Sequence, residues 1–250
     1  MVMNKEVGLN EAKSVVMNFV ESLNFKVPLD YKIRETWREL YGVNGTGGGG
    51  FHSALSEHDR GLVTISSNNH RSKSALERTL KHEVLGHFLI NTYSPQEKRV
   101  VIENIIAAEY SQSLSNQWNK VKTIYPDITK SIQAEEVYAG VAEGVDVWAA
   151  NDKVIEKPLS KRSYLLSGAE VSPSDLENDI LSRIVDLKNG LLKQKTFPSN
   201  DVHSSPFILN SLEHRASEWR DNNHISKTKP SSPTPSIQAS NVGPMNVYTC

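Results

Sequence analysis

Residues 81–93 read Lys81-His82-Glu83-Val84-Leu85-Gly86-His87-Phe88-Leu89-Ile90-Asn91-Thr92-Tyr93, with a glutamate between two histidines in an apolar run. Just upstream, Ser74-Ala75-Leu76-Glu77 matches a capping box, and Ala75, Leu76, Leu80, Val84 and Phe88 recur on one helical face. The motif is therefore expected on a helix. Neutral imidazole is the commonest nitrogen ligand for zinc, and a carboxylate beside two of them can deprotonate a water at the ion. These residue types point to metal-dependent hydrolysis.

The spacing makes a structural demand. Histidines at i and i+4 lie about 40° apart around a helix and can share one ion. His82 and His87 stand at i and i+5, roughly 140° apart on an ideal helix, too far to do so. One extra residue taken up as a π-bulge returns them to one face, and such bulges occur preferentially at functional sites. Gly86 is where that distortion costs least.

A hydrolytic site also needs a third protein ligand and an open position for water. Ala134-Glu135-Glu136-Val137-Tyr138-Ala139 places adjacent carboxylates about fifty residues downstream, on a helix predicted through residues 132–150. One glutamate can bind the metal while the other hydrogen-bonds a histidine from behind. Spacing leaves the assignment of Glu135 and Glu136 open.

HEVLGH followed by a glutamate pair resembles dipeptidyl peptidase III, with its HExxxH helix and downstream EExxA-type helix. KHEVLGHFLINT together with EEVYAGVAEG is closer to the zincin-like metallopeptidase domains of polyvalent proteins of phages and conjugative plasmids, a resemblance covering about residues 60–147. It implies one zinc ion on His82, His87 and Glu136, Glu83 as general base, Glu135 behind the ligands, and a peptide or protein substrate. Tyr138 and Tyr93 are candidates for stabilising an oxyanion, although each fits better as a packing tyrosine. The strand LVTIS at 62–66 is expected to offer its edge to an extended substrate. A two-histidine, one-carboxylate set also suits iron, and the zincin resemblance favours zinc.

The remaining chain frames this core. Asn10 and the run after it predict a first helix, with Val15, Val16, Phe19, Val20 and Leu23 on its apolar face. GTGGGG at 45–50 reads as a loop, and FHSAL and LVTIS as a hairpin or pair of edge strands. Ser94-Pro95-Gln96-Glu97 and Pro173 with Asp175 open further helices. The fold expected is mainly α (α+β), a zincin-like domain over 1–225 with a small sheet before the active helix. A disordered Ser/Pro-rich tail is expected over 226–250.

Of the other histidines, His52, His58 and His70 read as surface residues, and His203, His214 and His224 have no metal-ligand spacing. Glu143 reads as a solvated helix residue more than as a support for the site. With a net charge of -1 and Arg215 and Arg220 in a sparse patch, no nucleic-acid partner is expected. Cys250, the sole cysteine, forms no disulfide within the chain and no thiolate site. No stretch approaches the roughly 20 apolar residues of a membrane span, so a cytoplasmic protein with no membrane partner is expected. Two alternatives share the scaffold: a non-catalytic binding or regulatory protein of a mobile element, and an exported effector with the same chemistry. Retention of Glu83 favours the enzyme.

Overall fold

A computed structural model describes residues 6–23, 27–148, 171–197 and the backbone of 247–249. Histidines 203, 214 and 224, arginines 215 and 220, the last two residues of the helix predicted to 150, and most of the 226–250 tail lie outside the described residues.

The described chain is mainly helical with one small mixed sheet. Its helices are α1 (Leu9–Ser22), α2 (Trp37–Tyr41), α3 (Lys73–Leu80), α4 (Pro95–Ala107), α5 (Ser115–Ile124), α6 (Lys130–Ala142) and α7 (Pro173–Lys188). Directly behind α3 comes a π-helical segment, Lys81–Phe88. The strands are β1 (Leu29–Arg34), β2 (Gly49–His52), β3 (Gly61–Ser66) and β4 (Val247–Thr249), in the order β1-β3-β2-β4. β1 runs parallel to β3, while β2 is antiparallel to both β3 and β4.

Local chemistry accounts for most helix starts. Ser94 and Ser172 form capping boxes with Glu97 and Asp175, each with proline in the first turn. At α3 the cap is Ser72, which accepts from the Ala75 amide, while Ser74 accepts from Arg78. The box expected at Ser74 thus lies two residues too late. A serine already inside the first turn cannot cap it.

Three expectations about the sheet need correction. Gly49 and Gly50 belong to β2 rather than to a loop: a Cβ on Gly49 would come within 2.8 Å of both the Thr64 carbonyl and the Thr79 side chain, so the close approach selects glycine there. The strand at 62–66 is internal, with β1 on one side and β2 on the other, so it has no edge to offer a substrate. β1 was not anticipated, although Leu29-Asp30-Tyr31-Lys32-Ile33-Arg34 alternates apolar and polar side chains with the period of a half-buried strand. Within the tail expected to be disordered, Val247–Thr249 pairs with the free edge of β2. Short β-prone segments satisfy an open ladder in this way.

Helix α6 is the pillar of the site. Packed by the π-segment, α4, α5 and α7, it buries Gln133 through Ala139 without interruption. A helix enclosed on all sides has no need for an amphipathic stripe. Its contact with the π-segment is backbone-close at one point: a Cβ on Gly86 would lie 2.5 Å from Ala139 Cβ and 2.6 Å from Ala139 Cα. Gly86 is therefore required for the approach of the two helices, and its backbone keeps a negative φ. Phe88 meets Phe51 of β2 edge-on at 6.2 Å and joins the sheet to the same core. No helix among the described residues is long and apolar enough to cross a membrane.

Candidate metal centre

The π-helical turn places His82 and His87 on one face. Their rings stand at 67° with centroids 4.9 Å apart, and the two Nε2 atoms are 3.1 Å apart. Glu136 reaches them from α6, with Oε2 3.3 Å from His82 Nε2 and Oε1 3.5 Å from His87 Nε2. All three residues are buried. In a tetrahedral shell with bonds of about 2.05 Å, neighbouring ligand atoms are separated by about 3.3 Å. The contacts lie near that value, those of Glu136 through different oxygens, and one ligand atom from each residue lies within 4.8 Å of the others, so this buried group could hold a metal ion.

Protonation fits the same role. Burial, then the charges of His82 and Lys98, hold the His87 imidazole well below its usual range, leaving it neutral. His82 lies with Nδ1 3.1 Å from Glu143 Oε1, an arrangement in which Nδ1–H donates to the carboxylate and, in the neutral imidazole, Nε2 would carry the lone pair that a metal ion takes. Burial raises the Glu143 carboxyl, but the hydrogen bond and charge of His82, with Lys120 at 3.6 Å, outweigh it and hold it low.

Glu143 is thus the carboxylate that orients a histidine, in place of the solvated position expected for it. Glu143 caps the C-terminus of α6 with helical backbone, and its place seven residues after Glu136, on the same helical face, is the signal that could have found it. If the triad holds a metal ion, Glu143→Ala should weaken metal binding about 10- to 100-fold with helix content unchanged. Competition against a chromophoric chelator would measure it, and an unchanged affinity would remove Glu143 from the site.

Glu135 takes a different place from the one expected. Its Oε1 pairs with Lys98 at 2.8 Å, both side chains being largely buried. Lys98 donates to Asn91 Oδ1 at 3.0 Å, and Asn91 Nδ2 donates to the His87 carbonyl at 2.7 Å. Glu135 therefore clamps α4 to the backbone of the π-segment and does not touch an imidazole ring. Glu83 follows His82 in the same π-turn and is completely buried.

The two tyrosines proposed for oxyanion stabilisation are otherwise engaged. Tyr138 donates to Asp179 Oδ2 at 2.9 Å and Tyr93 to Asp179 Oδ1 at 2.6 Å, deep in the core against α7. Burial, then the charge of Asp179, push the Tyr138 hydroxyl well above its usual range, so it stays a donor. The Tyr138 role is corrected accordingly. Arg183 completes this cluster, its guanidinium 3.2 Å from the Tyr93 ring centre, donating to Thr92 at 2.6 Å and lying 3.4 Å from Asp179.

The surface reading of His52 and His70 fails as well. His52 is buried beside Tyr41 and Thr64, and burial, then Lys32, lower its pKa to about 4. His70 places Nδ1 2.9 Å from the Ser66 carbonyl and Nε2 3.0 Å from Thr79 Oγ1. Both hold the sheet to its neighbours, a role that isolated polar histidines in a sequence do not announce. His58 is exposed as expected.

A cavity of about 240 Å³ between α5 and α6 opens onto the triad, lined by both His82 and Glu136.

Part of this chain is similar to a stretch of a much longer protein. Over 145 residues, or 54% of the chain, it is 36% identical to a protein described as DNA primase TraC from Escherichia coli. The match covers 10% of that protein, so the chain spans about a tenth of the relative's length. No family model matches the chain. No solved structure matches it either.

Proposed function

We propose that the chain is a zinc-dependent peptidase of zincin type, hydrolysing a peptide or protein. The observation that carries this reading is the buried triad of His82, His87 and Glu136, whose ligand atoms stand 3.1–3.5 Å apart beside an acidic residue and an open cavity. A zinc ion held there would supply a water of lowered pKa and a Lewis acid for the scissile carbonyl. Glu83 would be the base that accepts a proton from such a water and passes it to the leaving amine. Glu143 keeps His82 in its ligating tautomer, and the Asn91–Lys98–Glu135 chain sets the backbone at His87. Tyr138 takes no part in the reaction.

Similarity to one tenth of a long protein is in keeping with a module that travels within large polypeptides. That relative's description supports a second reading, in which the module serves a DNA primase without cleaving peptides. Metal analysis of the purified chain and of His82→Ala and Glu136→Ala tests the first reading at its base. The wild type should carry about one zinc, or show its metal to be iron, and each variant should lose it. Full zinc in either variant would overturn the ligand assignment. A metal-loaded chain that cleaves no peptide of a diverse library would favour the second reading.

A further inference from the structure

We propose that the cavity beside the triad is a subsite for one bulky apolar side chain, aliphatic or aromatic, next to the carbonyl that a peptide presents to His82, His87 and Glu136. This rests on the peptidase reading and names the substrate class for it. The cavity is contiguous with the chemistry, because His82 and Glu136 line it. Its other walls are chiefly apolar: Val121 and Ile124 from α5, and Val137 from α6. Ile124 is 54% exposed, a large aliphatic side chain left in water at the lining of a cavity. Apolar surface in a concave site marks a place where a ligand excludes water.

The size suits a side chain rather than a whole ligand. About 240 Å³ is below the roughly 300–1,000 Å³ of pockets that enclose a drug-sized molecule, and equals the volume share of about eight waters. Apart from Glu136 of the triad, the charged groups on the lining are matched to each other, Lys120 Nζ lying 3.6 Å from Glu143, with Glu143 also on His82. A charged substrate side chain would have to compete with that pairing. Gly140, one turn beyond Glu136 on the same helix, keeps the space open: a Cβ there would meet nothing within 4 Å. The left-handed region does not account for this glycine, because Gly140 is not among the described glycines of positive φ.

The test uses the zinc-loaded full chain and three peptide hydroxamates that chelate through the same group. They carry a benzyl, a carboxymethyl or no side chain beside it. The benzyl compound should bind at least about tenfold more tightly than the other two by calorimetry. Gly140→Leu, which fills the cavity from a helical position that favours leucine over glycine, should keep its zinc and lose that preference. Equal affinities in the wild type, or a preference that survives in zinc-loaded Gly140→Leu, would overturn the subsite. If the benzyl preference holds but no peptide is cleaved, the subsite stands and the peptidase reading falls. A wild-type chain that takes up no metal would remove both, and metal analysis reads that outcome separately.

Discussion

In the proposed peptidase, Glu83→Gln should retain the metal of the wild type and lower peptide hydrolysis by about 10²- to 10⁴-fold, the usual contribution of a positioned general base. The substitution is nearly isosteric, so the completely buried site at Glu83 keeps its packing. It removes the negative charge and with it the ability to accept a proton, exchanging one acceptor oxygen for an amide donor. On that reading the ligands are His82, His87 and Glu136, so metal content should be unchanged. Zinc content and kcat/KM on the same preparation therefore give a clean separation. A Glu83→Gln variant that cleaves as fast as wild type would sink the mechanism, and one that loses zinc would make Glu83 part of the ligand shell.

Asp179→Ala should destabilise the fold by about 3–5 kcal/mol, because it leaves the buried Arg183 guanidinium without its carboxylate. Two buried tyrosine hydroxyls lose their acceptor in the same step. For a domain of this size, each kcal/mol moves Tm by about 2–4 °C, so a fall of about 6–20 °C is expected in a thermal melt. The consequence reaches the metal site mechanically. Arg183 holds Thr92, and Tyr93 holds α7, just beyond the π-segment that carries both histidines. An Asp179→Ala melt within 2 °C of wild type would show that this network adds little to stability. Asp179→Asn keeps the oxygen acceptor but not the charge, and should fall between the two.

How much could be read along the chain depended on the range of the interaction. His82, Glu83 and His87 carry their chemistry in their types, and their i, i+5 spacing demanded a distorted helix, which is present as the π-turn Lys81–Phe88. Capping boxes at Ser94 and Ser172 were equally local. Gly86 was legible as a special residue for the wrong reason: its value lies in the Ala139 backbone opposite, a partner more than fifty residues away. Glu143 and Glu135 exchanged expected roles because Lys98 and the end of α6 are not neighbours of the motif in sequence.

By itself, the sequence determined a mainly helical chain with a small sheet, a strained histidine helix, and a glutamate pair placed to face it. Periodicity, capping and residue chemistry are short-range properties, so a linear reading captures them. Only the tertiary structure decided which carboxylate faces both imidazoles, which one orients His82, and where two buried tyrosine hydroxyls are engaged. It also decided that LVTIS is an inner strand. Each of those depends on burial, and burial brings together groups from distant elements, each needing a partner of complementary charge or hydrogen-bonding capacity once water is excluded.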